Sequence, residues 1–161
     1  MSPRPFDQAR LRETLGHFAT GVAIVTGTDD GEPYGFTCQA FCSLSLEPPM
    51  VAIAPGKKSA SWPHVAKAGV FCVNILAEDQ ESLSRDFAVS GGDKFAGVGW
   101  QLAANGAPLL EGVLAWVECS VVATFDAGDH EMVFGHVDDM GVNGGRRPLL
   151  FYRGGFGTIG Q

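Results

Sequence analysis

Residues 35–59 read GFTCQAFCSLSLEPPMVAIAPGKKS, and polar and apolar positions alternate along the first half of this stretch. Thr37, Gln39, Ser43 and Ser45 share one parity, so an extended chain points them to one face. Phe36, Cys38, Ala40, Cys42, Leu44 and Leu46 form an apolar row on the other parity. The pattern predicts a half-buried strand whose polar face carries small, neutral donors and acceptors. Pro48-Pro49 interrupts it, residues 50–54 predict a short apolar strand, and Pro55-Gly56-Lys57-Lys58-Ser59 predicts a basic loop.

Residues 1–6 read as a loose arm. Leu11, Leu15, Phe18 and Ala19 recur at helical spacing and predict an amphipathic helix over 7–19, stopped near Gly21. An apolar strand over 22–26 turns at Asp29-Asp30-Gly31-Glu32 into the strand over 34–46. A short helix starts at Trp62-Pro63 under a Ser59 or Ser61 cap and ends at Gly69. A buried strand over 70–75 carries Asn74. A second helix over 78–88 holds Leu83 and Phe87 on one side and Arg85 on another. Residues 90–99, with Lys94-Phe95, form a glycine-rich loop. Strands follow at 100–103, 108–110, 115–125, 132–140 and 148–153, then a glycine-heavy tail. The strand over 115–125 and its lead-in are apolar on both parities, with Val113, Ala115, Val117, Cys119 and Val121 on one and Leu114, Trp116 and Val122 on the other. Such a strand needs cover on both faces, and a partner chain or a helix of the same chain would supply the second. Many short strands with two or three short helices predict a mainly β chain, a closed or nearly closed antiparallel barrel.

Composition narrows the class. A chain of 161 residues with 45% hydrophobic and 18% charged residues is expected to form one globular domain over 1–161. A net charge of −7 argues against nucleic acid as a main partner, so any phosphate-bearing ligand needs a local cluster of cations. No leader pattern opens the chain and no apolar run reaches the roughly 18 residues of a membrane span, so a cytoplasmic location and no membrane partner are expected. Cys38, Cys42, Cys72 and Cys119 sit among apolar residues and read as buried free thiols. On one strand Cys38 and Cys42 would be roughly 13 Å apart, too far for a disulfide or a shared metal. The four histidines are scattered, and no metal site is expected. Gly154-Gly155-Phe156-Gly157 and the residues after it lack the following helix that a dinucleotide fingerprint requires.

The chemistry concentrates in two places. Lys57, Lys58 and Ser59 precede a helix start, where free N–H groups and the helix dipole would join them in holding a phosphate. Gly128-Asp129-His130 lies in a turn between two strands. The order Gly-Phe-Thr-x-x-Ala-Phe-x-Ser-Leu-Ser-Leu-x-Pro-Pro resembles the flavin-binding stretch of the short-chain flavin reductases, the small reductase components of two-component flavin monooxygenases. Leu-Arg-x-x-x-Gly-x-Phe-Ala-Thr-Gly-Val in the first helix, Leu-Ser-x-x-Phe-Ala in the second, the Gly-Asp-His turn and the ending PLLFYRGGFGTIG resemble the same family.

This resemblance implies an antiparallel split β-barrel of the FMN-binding type, usually a homodimer. It implies FMN or FAD bound by Thr37, Cys38, Gln39, Ala40, Ser43, Ser45, Ala54, Lys57, Lys58, Ser59, Asn74, Arg85 and Phe87. NADH or NADPH would lie near Gly128, Asp129, His130, Tyr152 and Phe156. Cys38 and Gln39 depart from the small hydroxyl or amide residues of many relatives, and a thiol is only a weak donor. The implied activity is NAD(P)H:flavin oxidoreduction, with reduced flavin passed to a separate oxygenase. Hydride transfer between two positioned rings needs no protein acid or base, so no catalytic residue is assigned and His130 is an orienting candidate. The alternatives are a flavin carrier or sensor without turnover and a split-barrel oxidase with its own organic substrate. Arg146-Arg147 would suit a 2′-phosphate, although paired arginines in a turn are commonly solvated.

Overall fold

The structure is a computed structural model and describes residues 5–160. In chain order the elements are α1 (Gln8–Gly16), β1 (Thr20–Gly21), β2 (Ala23–Asp29), β3 (Glu32–Cys38), β4 (Phe41–Leu46), β5 (Pro49–Ile53), α2 (Trp62–Ala68) and β6 (Val70–Ile75). They continue as α3 (Glu81–Ala88), β7 (Trp100–Leu102), β8 (Pro108–Leu110), β9 (Ala115–Ala127), β10 (His130–Val142), β11 (Leu150–Tyr152) and β12 (Gly155–Gly157). Most of the expected loose arm over 1–6 lies outside the described residues. None of the described helices is long and apolar enough to cross a membrane.

Seven strands form one antiparallel sheet in the order β3-β2-β6-β9-β10-β5-β4. Its two edge strands, β3 and β4, are consecutive in the chain and joined only by Gln39 and Ala40. If the sheet were flat, its edges would be about 29 Å apart at the usual strand spacing. Three residue steps span at most about 11 Å. The sheet therefore has to curl until its edges meet, giving a barrel with a seam between β3 and β4. Ala54 N donates to Ala40 O across that region at 3.0 Å.

Local sequence explains the elements. Asp30 and Gly31 turn β2 into β3 with φ of 50° and 81°, the left-handed pair that a two-residue hairpin favours. Asp7 caps α1 by accepting from Arg10 N, and Gly69 ends α2 at φ 71°. Trp62 N donates to Ser59 Oγ, so Ser59 rather than Ser61 satisfies the start of α2.

Several expectations change. The single strand over 34–46 is broken at Gln39-Ala40, and a bulge at Leu44 disturbs the remainder. Its apolar row consequently divides: Phe36 and Cys38 are buried, whereas Cys42, Leu44 and Leu46 are exposed. Cys42 is thus not a buried thiol, because β4 is an edge strand. The first helix ends at Gly16 and buries none of its residues, leaving Leu15 and Phe18 in solvent. The second starts at Glu81, since Gln80 at φ −107° and ψ 24° is outside the helical region. The glycine tail carries a strand, β12, paired with β11.

Alternation of β2 feeds two cores. Ala23 and Val25 join Phe36, Ile53, Trp62, Val65 and Phe71 in one cluster. Val22 and Ile24 join Leu76, Phe87, Phe95 and Leu149 in the other. Asn74 is fully buried between strands. Its Nδ2 donates to Ile24 O, Thr26 Oγ1 and Pro108 O, and its Oδ1 accepts from Leu110 N. The amide therefore fastens the β7–β8 hairpin onto the main sheet. Asn74→Ala removes the side-chain acceptor of the buried Leu110 N, while Thr26 Oγ1 still reaches Pro108 O, and should lower stability by about 1–3 kcal/mol. Urea denaturation reads this as a lower midpoint, and an unchanged midpoint would count against the docking role.

Candidate active-site cavity

A cavity of about 830 Å³ opens at the barrel seam. Residues 36–40 form one wall, and Ala54, Pro55, Gly56, Lys58, Ser59 and Ala60 form a second. The C-terminal part of α3 and the following loop supply Ser84, Arg85, Phe87, Ala88, Val89, Ser90 and Lys94. Val22, His130, Phe151 and Phe156 complete the lining. Such a volume suits a ligand of cofactor size.

The wall at 36–40 is held from both sides. Thr37 Oγ1 donates to Ser84 O at 2.5 Å, which fixes α3 against β3. The close approach depends on Gly35, where a methyl group would stand 2.9 Å from Phe87 Cε1. Cys38 Sγ donates to Ala40 O at 3.4 Å, and burial pushes the thiol pKa up to about 11. It is a neutral wall residue at working pH. Gln39 Nε2 donates to Thr20 Oγ1.

The basic loop sends its two lysines different ways. Lys57 pairs with Asp126 on β9 and does not line the cavity, whereas Lys58 does. The Gly128–His130 turn is not a separate cluster. Lys57 N donates to Asp129 O at 2.9 Å, Glu131 N donates to Pro55 O at 3.0 Å, and Gly56 bridges to His130. A methyl group on Gly56 would lie 3.7 Å from His130 Nε2, so the imidazole rests against this loop. Hydrogen bonding to His130 holds the Asp129 carboxyl below its usual pKa, with a smaller contribution from Lys58.

Of the expected site residues, Thr37, Cys38, Gln39, Ala40, Ala54, Lys58, Ser59, Arg85, Phe87, His130 and Phe156 come together on the cavity. Ser43 and Ser45 lie on β4 beyond the broken strand, Lys57 is engaged with Asp126, and Gly128 and Asp129 stay in the turn. Asn74 is locked in the core. Tyr152 points away and meets His17 edge-on at 6.3 Å. Its neighbour Phe151 takes the wall instead, beside its cross-strand partner Phe156 with ring centroids 5.1 Å apart. Strand parity alone decides between them. Arg85 stacks over Phe156 at 4.8 Å and pairs with Glu81. Sequence reasoning missed Phe151 and Lys94, and the only local signal for Lys94 was its place before a buried phenylalanine.

The family model described as "Flavin reductase like domain" matches residues 15–160, and the chain belongs to this family. The chain is 48% identical over 153 residues to the reductase subunit HsaB of a flavin-dependent monooxygenase from Rhodococcus jostii, covering 95% of this chain and 78% of that protein. The crystal structure of nitrilotriacetate monooxygenase component B from Mycobacterium thermoresistibile superposes with a TM-score of 0.93 at 45% identity, covering 96% of this chain and 87% of that one. The NADH:FAD oxidoreductase SgcE6 of Streptomyces globisporus, in complex with NAD and FAD fragments, gives 0.90 at 35% identity over 96% and 93% of the two chains. The curled antiparallel sheet is thus the split barrel of the flavin reductases.

The residues present fit a flavin. Phe151 and Phe156 offer partly exposed apolar surface for a flat ring, backed by the buried Phe36 and Phe87, and Lys58 with Ser59 offers a cation and a hydroxyl for a phosphate. Lys58→Ala should weaken a phosphorylated flavin by about 1.5–3 kcal/mol, roughly ten- to a hundred-fold in Kd. Riboflavin should be almost unaffected. Equal losses for FMN and riboflavin in fluorescence titrations would remove Lys58 from phosphate binding.

Proposed function

We propose that this chain is an NAD(P)H:flavin oxidoreductase that reduces FMN or FAD and delivers the reduced flavin to a separate oxygenase. The observation that carries this reading is the seam cavity, whose lining combines aromatic rings, cations and hydroxyls in a chain of the flavin reductase family. The flavin supplies the hydride-accepting ring, and the protein positions it. The proton of Thr37 is committed to Ser84 O, so toward the ligand this hydroxyl only accepts. Lys58 and Ser59 hold the phosphate, and the aromatic wall excludes water from the ring. His130 orients the nicotinamide, with Asp129 holding Nδ1 at 2.7 Å and so aligning the imidazole.

Arg146 is engaged bidentately by Asp79, and Arg147 lies beside Glu78. Neither lines the cavity, which favours NADH over NADPH. We take the whole of 1–161 as one functional domain, since β2 contributes to both cores. A reduced nicotinamide substrate and four free cysteines suit the cytoplasm.

The test is NADH or NADPH oxidation measured with FMN, FAD and riboflavin in turn. Flavin-dependent turnover, faster with NADH, is expected. Tight flavin binding without turnover would leave the carrier reading instead.

His130→Ala should raise the KM for the nicotinamide about three- to tenfold, the value of one hydrogen bond, with little change in flavin Kd. A variant that loses flavin but reduces bound flavin at the normal rate would sink this role.

The family pattern and the exposed surface also favour a homodimer. Val122, Phe125, Met140 and Val142 are exposed on β9 and β10, while the helices pack on β2, β3 and β6. Exposed apolar side chains of this size are suited to burial against a second copy. Light scattering at micromolar concentration should give twice 17.0 kDa. A fully active monomer would exclude the dimer.

A further inference from the structure

Lys94 is a cavity cation with an unusual setting. It stands in the glycine-rich loop after α3, where Gly91, Gly92 and Gly97 all have positive φ. The adjacent Phe95 is buried, edge-on to Phe87 at 5.0 Å and to Trp100 at 5.7 Å, so the loop is nailed down at that point. From there Lys94 Nζ reaches back to donate to Gly35 O at 3.2 Å and Phe87 O at 3.1 Å. The neighbouring carboxylate, Asp93, accepts instead from Phe95 N.

Of the cations lining the cavity, Arg85 is paired with Glu81, and Lys58 has Asp129 in its field. Of these three cavity cations, Lys94 is the one whose side chain is bonded to neutral carbonyls, one of them that of Phe87. Partial burial lowers its ammonium pKa, as expected for a charge that has lost some water and has no counter-ion among the described residues.

Resting on the flavin reductase reading above, we propose that Lys94 is a binding determinant selective for the reduced flavin, its ammonium facing the ring rather than the phosphate. Hydride transfer moves one proton and two electrons from the nicotinamide to the neutral oxidised ring. The nicotinamide leaves oxidised, and the flavin ring becomes a monoanion with no further proton required. A cation beside an apolar wall attracts that anion far more than the neutral ring, because little solvent screens the pair. The phosphate is served by Lys58 and Ser59 at the polar end, so Lys94 is left for the ring. It therefore sets how tightly the product is held before transfer to the oxygenase.

The test is an anaerobic titration of oxidised and of dithionite-reduced FMN and riboflavin into wild type, Lys94→Met and Lys94→Arg. Lys94→Met should weaken reduced flavin by about ten- to a hundred-fold, the size of a charge-assisted hydrogen bond. Oxidised flavin should weaken by less than about threefold. FMN and riboflavin should respond alike, and Lys94→Arg should retain most of the preference. If Lys94→Met does not fold, Lys94→Gln keeps an amide donor for the two carbonyls and removes the charge, and the same comparison applies. Equal weakening of both oxidation states would reduce Lys94 to a loop anchor and overturn the proposal, as would a loss seen with FMN but not riboflavin. A wild type that binds neither state would overturn the flavin reductase reading itself, whereas one that binds both while Lys94→Met preserves their ratio would sink only the role of Lys94.

Discussion

The two-residue link between β3 and β4 is the constraint on which the rest depends. It places consecutive strands at opposite edges of a seven-stranded sheet, and chain connectivity then forces the sheet round on itself. The cavity lies at the resulting seam, where edge backbone and side chains remain open to a ligand instead of being consumed by a ladder. An edge strand is ordinarily an aggregation hazard. Here one edge is covered by α3 through Thr37 and Ser84, and the cavity is built between them.

Around the seam, the walls are held by segments far apart in sequence. The basic loop after β5 is tied to the β9–β10 turn by reciprocal backbone bonds, which hold Lys58, Ser59 and His130 close together. The C-terminal hairpin brings Phe151 and Phe156, and it is itself anchored when β11 pairs with β1 and Arg153 N donates to Gly16 O. The glycine-rich loop is pinned by Phe95 and returns Lys94 to the wall. Each support uses backbone carbonyls or aromatic edges, which keeps the cationic heads of Lys58 and Lys94 free of strong intramolecular ion pairs. This matters because a cation already neutralised by a carboxylate gains little from a ligand anion.

Charge distribution follows the same logic. With a net charge of −7, the molecule does not attract anions by its overall field. The cations near a bound anion would have to be local ones, and the arginines at 146 and 147 lie off the cavity beside Asp79 and Glu78. At the cavity itself stand Lys58, Arg85 and Lys94.

The sequence by itself determined the local elements and the family. The strand over 70–75 and the hairpin turn at Asp30-Gly31 follow from patterns that need no partner, because apolar runs and left-handed φ preferences act within a few residues. The ordered hydroxyls, spacers and double proline carried the resemblance, and Lys58, Ser59 and His130 were legible from it. Tertiary structure decided which face each residue shows. The apparent single strand over 34–46 is two strands on opposite edges, so Ser43 and Ser45 part from Thr37, and Cys42 emerges into solvent. From the sequence Asn74 could be a satisfied core amide or a ligand contact, and the β7–β8 hairpin, distant in sequence, decides for the core. Phe151 replaces Tyr152 because pairing with both β1 and β12 fixes the parity of β11. Parity within a strand is local, but which parity faces the cavity is set by strand pairing between distant segments, and no local pattern encodes that.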